Sequence, residues 1–418
     1  MPSLFSASLF RRKAVSEVVS APHCNMCLLY KKCKTPKMAV YGKGQRGIMV
    51  VGSHPSKADD DSGRPFAGIA GRVFRDQLQA AGINPLRDCW FTSAAVCAPR
   101  EAGTPNQAID HCRPLLVSNI KERSPSLIIL VGAGAVRGVI GHVWKEDVGE
   151  IDRWVGRKIP GNAWNSWICP VWQTTDFTAT EDARKTADVR RVLQASYLEQ
   201  IADIPVGDRP WGEDGAPDFE SQVECIEDPT VAAAAIREIT AKGGYAAFDY
   251  ETTCLKPDGK HARIVCCSIC WMGKKTIAYP WTPETAAATR EFVSDPRIHK
   301  IGANIKFEQR WTLAHLGIPV INWAWDCMQS AHVDNVRRRT TSIKFQSFVR
   351  FGMHSYNEDI EPFLRSSKKD RGNNAPNRIH EIPLRRLLMY CGLDSLLEFI
   401  VANDQAKKVG RNFYVKPD

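Results

Sequence analysis

Gly244-Tyr245-Ala246-Ala247-Phe248-Asp249-Tyr250-Glu251 is an apolar run that ends in two acids, and it decides how the second half of the chain is read. The run has the character of a buried strand, and residues two apart on a strand share a face, so Asp249 and Glu251 lie on one side of it. Carboxylates held together repel unless a cation neutralises them, and a pair of divalent ions about 3.5–4 Å apart is a common machinery for phosphodiester cleavage. An Asp-x-Glu by itself reads more readily as a solvated strand end.

Working outward, residues 262–271 and 276–281 read as two more strands, 284–293 as a helix, 300–302 as a short strand, 306–316 as a helix and 382–402 as a last helix. The pieces carry acids in a fixed order. Asn304-Ile305-Lys306-Phe307-Glu308 opens a helix, Asp326 follows a Trp-rich segment, and Tyr390-Cys391-Gly392-Leu393-Asp394 lies on the last helix. Cys266, Cys267 and Cys270 fall inside an apolar strand and are expected in the core. Arg337-Arg338-Arg339 and Lys368-Lys369 are basic runs, which read as a solvated face or as phosphate contacts.

Towards the N-terminus, 47–52 and 127–132 are apolar runs that end in glycine and lead into helical patterns, as in an α/β sheet. A helix is expected over 181–202. The stretch 203–222 holds Pro205, Gly207, Pro210, Gly212, Gly215 and Pro217 and reads as a linker. The expected organisation is therefore a domain over 1–202, a linker over 203–222 and a second domain over 223–418. At 418 residues and 46.7 kDa the chain exceeds one ordinary core, which stops growing at about 250–300 residues.

With 44% hydrophobic and 24% charged residues the composition excludes a wholly disordered or fibrous chain. The net charge of +10 favours an acidic partner such as nucleic acid. No apolar run approaches the ~18 residues of a membrane span, and Arg11, Arg12 and Lys13 interrupt the N-terminus before any secretory core, so no membrane association and a cytoplasmic location are expected.

Fourteen cysteines scattered over a long chain point to metal binding or burial. Cys24-Asn25-Met26-Cys27 is a CxxC, which alone fits a redox pair or a zinc knuckle. Cys97, at the end of an expected strand over 89–96, and Cys112, on the following helix, complete a quartet spaced C-x2-C and C-x14-C. Four thiolates at these spacings fit tetrahedral zinc or a 4Fe–4S cluster.

Two resemblances bear on these patterns. The order Asp249, Glu251, Glu308, Asp394, with Glu251-Thr252-Thr253-Cys254-Leu255 for the family's Glu-Thr-x-x-Leu and Tyr390 four residues before Asp394, resembles the 3'-5' exonuclease domain of DNA polymerase I-type enzymes. This domain has a ribonuclease H-like α/β fold and belongs to the Tyr-containing branch of the DEDD superfamily; the resemblance covers 223–418. It implies two Mg2+ or Mn2+ ions, with Asp249 bridging them, Glu251 and Asp394 on the water-activating ion, and Glu308 on the second. Tyr390 would orient the water. Glu308 stands where the family usually has Asp, and Asp326 is its rival for the second ion. Asn304 and Phe307 would hold a single-stranded 3' end, and Leu255 would wedge at the terminal base.

Over about residues 20–200, Gly63-Arg64-Pro65-Phe66-Ala67-Gly68-Ile69-Ala70-Gly71 resembles the GRPFxGxAG signature of family 4 uracil-DNA glycosylases. That family implies an α/β/α sandwich and a 4Fe–4S cluster, here on Cys24, Cys27, Cys97 and Cys112, with Cys33 as a spare and zinc as the alternative. Phe66 is then the stacking ring, with Arg64 beside it on the DNA. The other catalytic motifs depart from the family. Ser53 replaces the acid of Gly-Glu-x-Pro-Gly, Ser93 the uracil-reading Asn and Gln173 the His, while His54 is the only substitute nearby.

The combined expectation is a DNA 3'-end exonuclease that proofreads for a DNA polymerase. The polymerase would be on a separate chain or would continue this one, in the manner of phage replication proteins acting in the bacterial host cytoplasm. The first domain would be a retired glycosylase kept for DNA binding or polymerase docking. The alternatives are an active uracil-DNA glycosylase with an accessory nuclease, and a non-enzymatic DNA-binding factor.

Overall fold

The structure is a computed structural model that describes residues 22–99, 106–174, 181–366 and 374–417, without the side chains of 181–186. Lys368-Lys369 lie outside the described residues. The chain divides into two compact units, one comprising Met1–Val143, Trp154–Gly156 and Ser166–Arg209, the other Trp144–Arg153, Arg157–Asn165 and Pro210–Asp418.

In the first unit parallel strands lie side by side in the order Cys89–Ser93, Ile48–Gly52, Leu127–Val131, Ser166–Val171. Ile48–Gly52 and Leu127–Val131 are buried at every position, as expected of parallel strands covered on both faces. Ile48 and Val50 share a core with Phe74 and Leu78, one helical turn apart on Ile69–Ala80, and with Leu198 and Ile201 of Glu181–Ala202. Asn106–Arg123 and Ala133–Val143 pack together where Gly138 abuts Leu116.

One expectation is corrected here. The strand expected over 89–96 ends at Ser93, where its register with Gly52 runs out, and Cys97 lies in the loop beyond it. The apolar run Ala94-Ala95-Val96 is buried by its surroundings and takes no part in the strand.

The second unit has a mixed sheet in the order Trp323–Asp326, Ile298–Gly302, Gly244–Thr252, Ile264–Trp271, Lys275–Pro280, Val223–Cys225. The three strands from Gly244 to Pro280 form an antiparallel meander, while Ile298–Gly302 and Trp323–Asp326 add parallel to it. This is the strand order expected of a ribonuclease H-like domain, with Val223–Cys225 as an additional edge strand. Two helices start at Pro in the first turn with a side-chain cap before it, Asp228 for Pro229–Lys242 and Thr282 for Pro283–Ser294.

Alternation along Gly244–Thr252 separates two cores. Ala246, Phe248 and Tyr250 pack with Ile236, Ile239, Phe292 and Trp311. Ala247 faces the other way, into the core of Leu384–Lys407, and the period of two sends Asp249 and Glu251 to that same face. Cys266 and Cys270 belong to the Leu384–Lys407 core and Cys267 to the first, all fully buried.

The long helix sits close on the sheet because Gly392 has no side chain: a Cβ there would lie 2.3 Å from Val223 Cγ1 and 3.3 Å from Ala278 Cβ. Gly392→Ala would gain about 1 kcal/mol of helix propensity. Overpacking against the strands, about 1–3 kcal/mol, should win. The expected result is a net loss of stability in urea unfolding, with lowered activity as the helix lifts from the sheet.

Candidate functional site

Asp249, Glu251 and Cys391 bring their ligand atoms within 4.8 Å of one another. Two forces build this cluster. The strand aims the two carboxylates at the helix, and the ladder to Ile264–Trp271 shifts register between Glu251 and Thr252, an irregularity of the kind that re-aims side chains beside sites. The helix places Tyr390, Asp394 and Glu398 at intervals of four, on one face, over those acids.

All five acids are pushed above the ordinary carboxylate range, and burial is the first cause for each. For Asp249 the next cause is Asp394, for Glu251 it is Asp249, and for both Glu308 and Glu398 it is Asp249 again. Asp394 is raised less, because Lys344 and the hydroxyls of Tyr356 and Tyr390 favour its charged form. Like charges crowded out of water are costly, and two of their oxygens, Glu308 Oε2 and Glu398 Oε2, are buried without a hydrogen-bond partner. A hard cation with oxygen ligands is the group this donor set fits.

Three further side chains that the sequence reading passed over complete the surroundings. Lys344, on the helix Ile343–Phe351, donates from Nζ to Tyr390 Oη at 3.0 Å and stands over the rings of Tyr390 and Tyr356. Tyr356 donates its hydroxyl to Asp394 Oδ1. Glu398 accepts the Ala303 amide on Oε1 at 3.1 Å.

Asp326 has a different task. Its Oδ1 accepts the amides of Asn304, Met328 and Gln329, and its Oδ2 that of Ile305, at 2.9–3.2 Å. It caps Cys327–Asp334 and pins the turn at Asn304, which has φ +67° and enters the helix of Glu308. Four backbone donors leave this carboxylate a positioning role. Phe307 packs on Trp311, and Leu255, in the loop after the strand Gly244–Thr252, is 72% exposed. Arg338 and Arg339 are exposed, Arg339 pairing with Asp147, while Arg337 is half-buried.

In the first unit the residues named from sequence gather at the carboxyl ends of the parallel strands, the usual ligand crevice of open α/β sheets. Gly52 lies opposite Ser93. Gly132 abuts the side chain of Gln173 and Gly134 that of Ser53, with no room for a Cβ at either. Phe66 has φ +60° and sits against Gly52, Phe74 and Phe91. Asp59, unremarked in the sequence, holds this loop: its carboxylate accepts the amides of Ser56, Ala67 and Gly68. Arg64 stacks on Tyr41. His54 Nδ1 is buried without a partner, and burial lowers the ring's pKa.

Cys24, Cys27, Cys97 and Cys112 line one small cavity with Tyr30, Lys37 and His111. Cys33 is outside that lining, its thiol donating to the Tyr30 carbonyl, but it also neighbours Cys97 closely enough to help raise that thiol. Burial pushes the Cys97 thiol up to about 12 and raises that of Cys112. Among the described residues no three of these sulfurs lie within 4.8 Å of one another.

Comparison with known proteins separates the two halves. Residues 39–195 match the family model of the uracil DNA glycosylase superfamily, and residues 223–409 match that of the 3'-5' exonuclease. The type-4 uracil-DNA glycosylase of Pyrobaculum aerophilum is 34% identical over 113 residues, 26% of this chain and 56% of that protein. That of Archaeoglobus fulgidus is 28% identical over 156 residues, 35% of this chain and 75% of that protein. The chain thus spans little more than half the length of the first of these relatives. Among solved structures, Trypanosoma brucei RNase D in its GMP complex has 15% identity and a TM-score of 0.36, covering 44% of this chain and 57% of that one. The chain thus resembles the uracil-DNA glycosylase superfamily over 39–195 and the 3'-5' exonuclease family over 223–409.

Proposed function

We propose that the protein is a divalent-metal-dependent exonuclease that removes nucleotides from single-stranded DNA 3' ends, proofreading for a DNA polymerase. The carrying observation is the convergence of Asp249 and Glu251 from the sheet on Cys391 of the helix, one turn from Asp394, whose charge acts on Asp249, together with the orphaned oxygen of buried Glu308. Two Mg2+ or Mn2+ ions held by Asp249, Glu251, Glu308 and Asp394 would supply water activation and charge stabilisation at the phosphate.

The chain's own groups do the rest. Leu255, exposed at the strand end, wedges the terminal base, while Asn304 and Phe307 hold the strand. Lys344 fixes the Tyr390 hydroxyl, which orients the attacking water. The water oxygen bonds to phosphorus, the bond to the 3' oxygen breaks, that oxygen takes a proton, and a nucleoside 5'-monophosphate leaves.

The first module, in this reading, binds DNA or docks the polymerase. Phe66 keeps a stacking ring in its crevice, but Ser53, Ser93 and Gln173 supply neither the acid, the uracil-reading amide nor the histidine that excision requires. A 4Fe–4S cluster on Cys24, Cys27, Cys97 and Cys112 suits the cavity.

The test is product analysis on single-stranded DNA with one uracil. Divalent-dependent release of 5'-monophosphates, with no alkali-labile break at the uracil, is expected. Alkali-labile breaks that persist in Asp249→Ala would establish the active glycosylase instead, and binding without any cleavage would establish the non-enzymatic reading.

A further inference from the structure

Glu398 is the fifth acid of the cluster and has no counterpart among the four expected from sequence. It sits one turn beyond Asp394 on Leu384–Lys407 and is 3% exposed. Its Oε1 accepts the Ala303 amide, where Ile298–Gly302 has just ended and the chain turns through Asn304 into the helix that begins at Lys306 and carries Glu308. Its Oε2 is buried and has no hydrogen-bond partner, and the same holds for Oε2 of Glu308. Two orphaned carboxylate oxygens in one neighbourhood are each expensive to bury. The hydrogen-bond donors around them, chiefly the Ala303 amide, satisfy only half of Glu398.

We propose that Glu398 is a ligand of the second divalent ion, paired there with Glu308. This rests on the two-ion exonuclease reading and extends it. The arrangement also accounts for a glutamate at 308: with a second acid reaching in from the helix, the cation is held between two long arms. Asp394 and Glu251 remain on the other ion. Asp249, Glu308 and Asp394 all push the Glu398 carboxyl upward after its burial, in agreement with this placement.

The probe is Mn2+, titrated into the full chain and followed by electron paramagnetic resonance of the free ion, so that binding is read without turnover. Wild type should bind two Mn2+ at this site and Asp249→Asn should lose both. Glu398→Gln, which keeps size and hydrogen bonding and removes the charge, should keep one Mn2+ at wild-type affinity and weaken the other at least tenfold. Should that variant fail to fold by circular dichroism, Glu398→Asp, which keeps the charge on a shorter arm, should weaken the same ion at least threefold. Two Mn2+ bound within twofold of wild type in a folded Glu398 variant would overturn the assignment and leave the two-ion reading intact. No Mn2+ bound by wild type would overturn both.

Discussion

Asp249→Asn should abolish 3'-end degradation and, in EDTA, make the protein more stable. The two effects have opposite signs because one residue serves the chemistry at the expense of the fold. Removing a single preorganised charge-stabilising group already costs about 10²–10³ in rate, and an acid shared by two ions should cost at least about a thousandfold. Asp249 is also the charged neighbour that does most to raise Glu251, Glu308 and Glu398 above the ordinary range.

The pH dependence follows from that direction. A carboxyl raised in the folded state keeps its proton there after the unfolded chain has lost it, so stability is full below the ordinary carboxylate range and falls as pH rises through the raised values. Metal-free wild type should therefore lose melting temperature from about pH 4 upward. Asp249→Asn should lose less, and Mg2+ should remove the slope in wild type alone. Thermal melts across pH, with EDTA or Mg2+, measure all three. Equal slopes with and without Mg2+ would detach the buried acids from metal binding.

Cys112→Ser should carry the largest effect in the first module. Cys112 comes from the helix Asn106–Arg123 and Cys97 from the loop after Cys89–Ser93, and they face Cys24 and Cys27 across one cavity. Loss of a structural metal group ranks with the exceptional destabilisations, more than about 4 kcal/mol. The purified wild type should be brown, with absorbance near about 400 nm and about four irons per chain, whereas the serine variant should be colourless and largely insoluble. A colourless wild type holding one zinc would reassign the cofactor. Cys33→Ser should keep the colour, since Cys33 lies outside the cavity lining although its sulfur neighbours Cys97; loss of colour would make Cys33 a ligand.

Much of this site was readable from spacing. The period of two placed Asp249 and Glu251 on one face, and the helices Glu181–Ala202 and Lys306–Leu316 were readable because turn residues follow them, Pro205 and Gly207 after the first and Gly317 after the second. Glu398 was not readable. It lies in a helix whose residues are almost all buried, and a lone acid there has no local pattern to set it apart. Lys344 and Tyr356 come from segments distant in sequence from the acids they touch, so only the fold brings them in. The choice between Glu308 and Asp326 was open in the sequence, and only the fold shows the four backbone amides that Asp326 accepts, which speak for a positioning role. Asp59 escaped notice for the same reason: a capping acid gains meaning only from the amides it collects.

The most direct test of the central claim is a time course on a 5'-labelled single-stranded DNA oligonucleotide with Mg2+ or Mn2+, run beside EDTA and Asp249→Ala. The account predicts a ladder that shortens from the 3' end one nucleotide at a time in wild type, and no ladder in EDTA or the variant. Full-length label in every lane, or an undiminished ladder in Asp249→Ala, would contradict it.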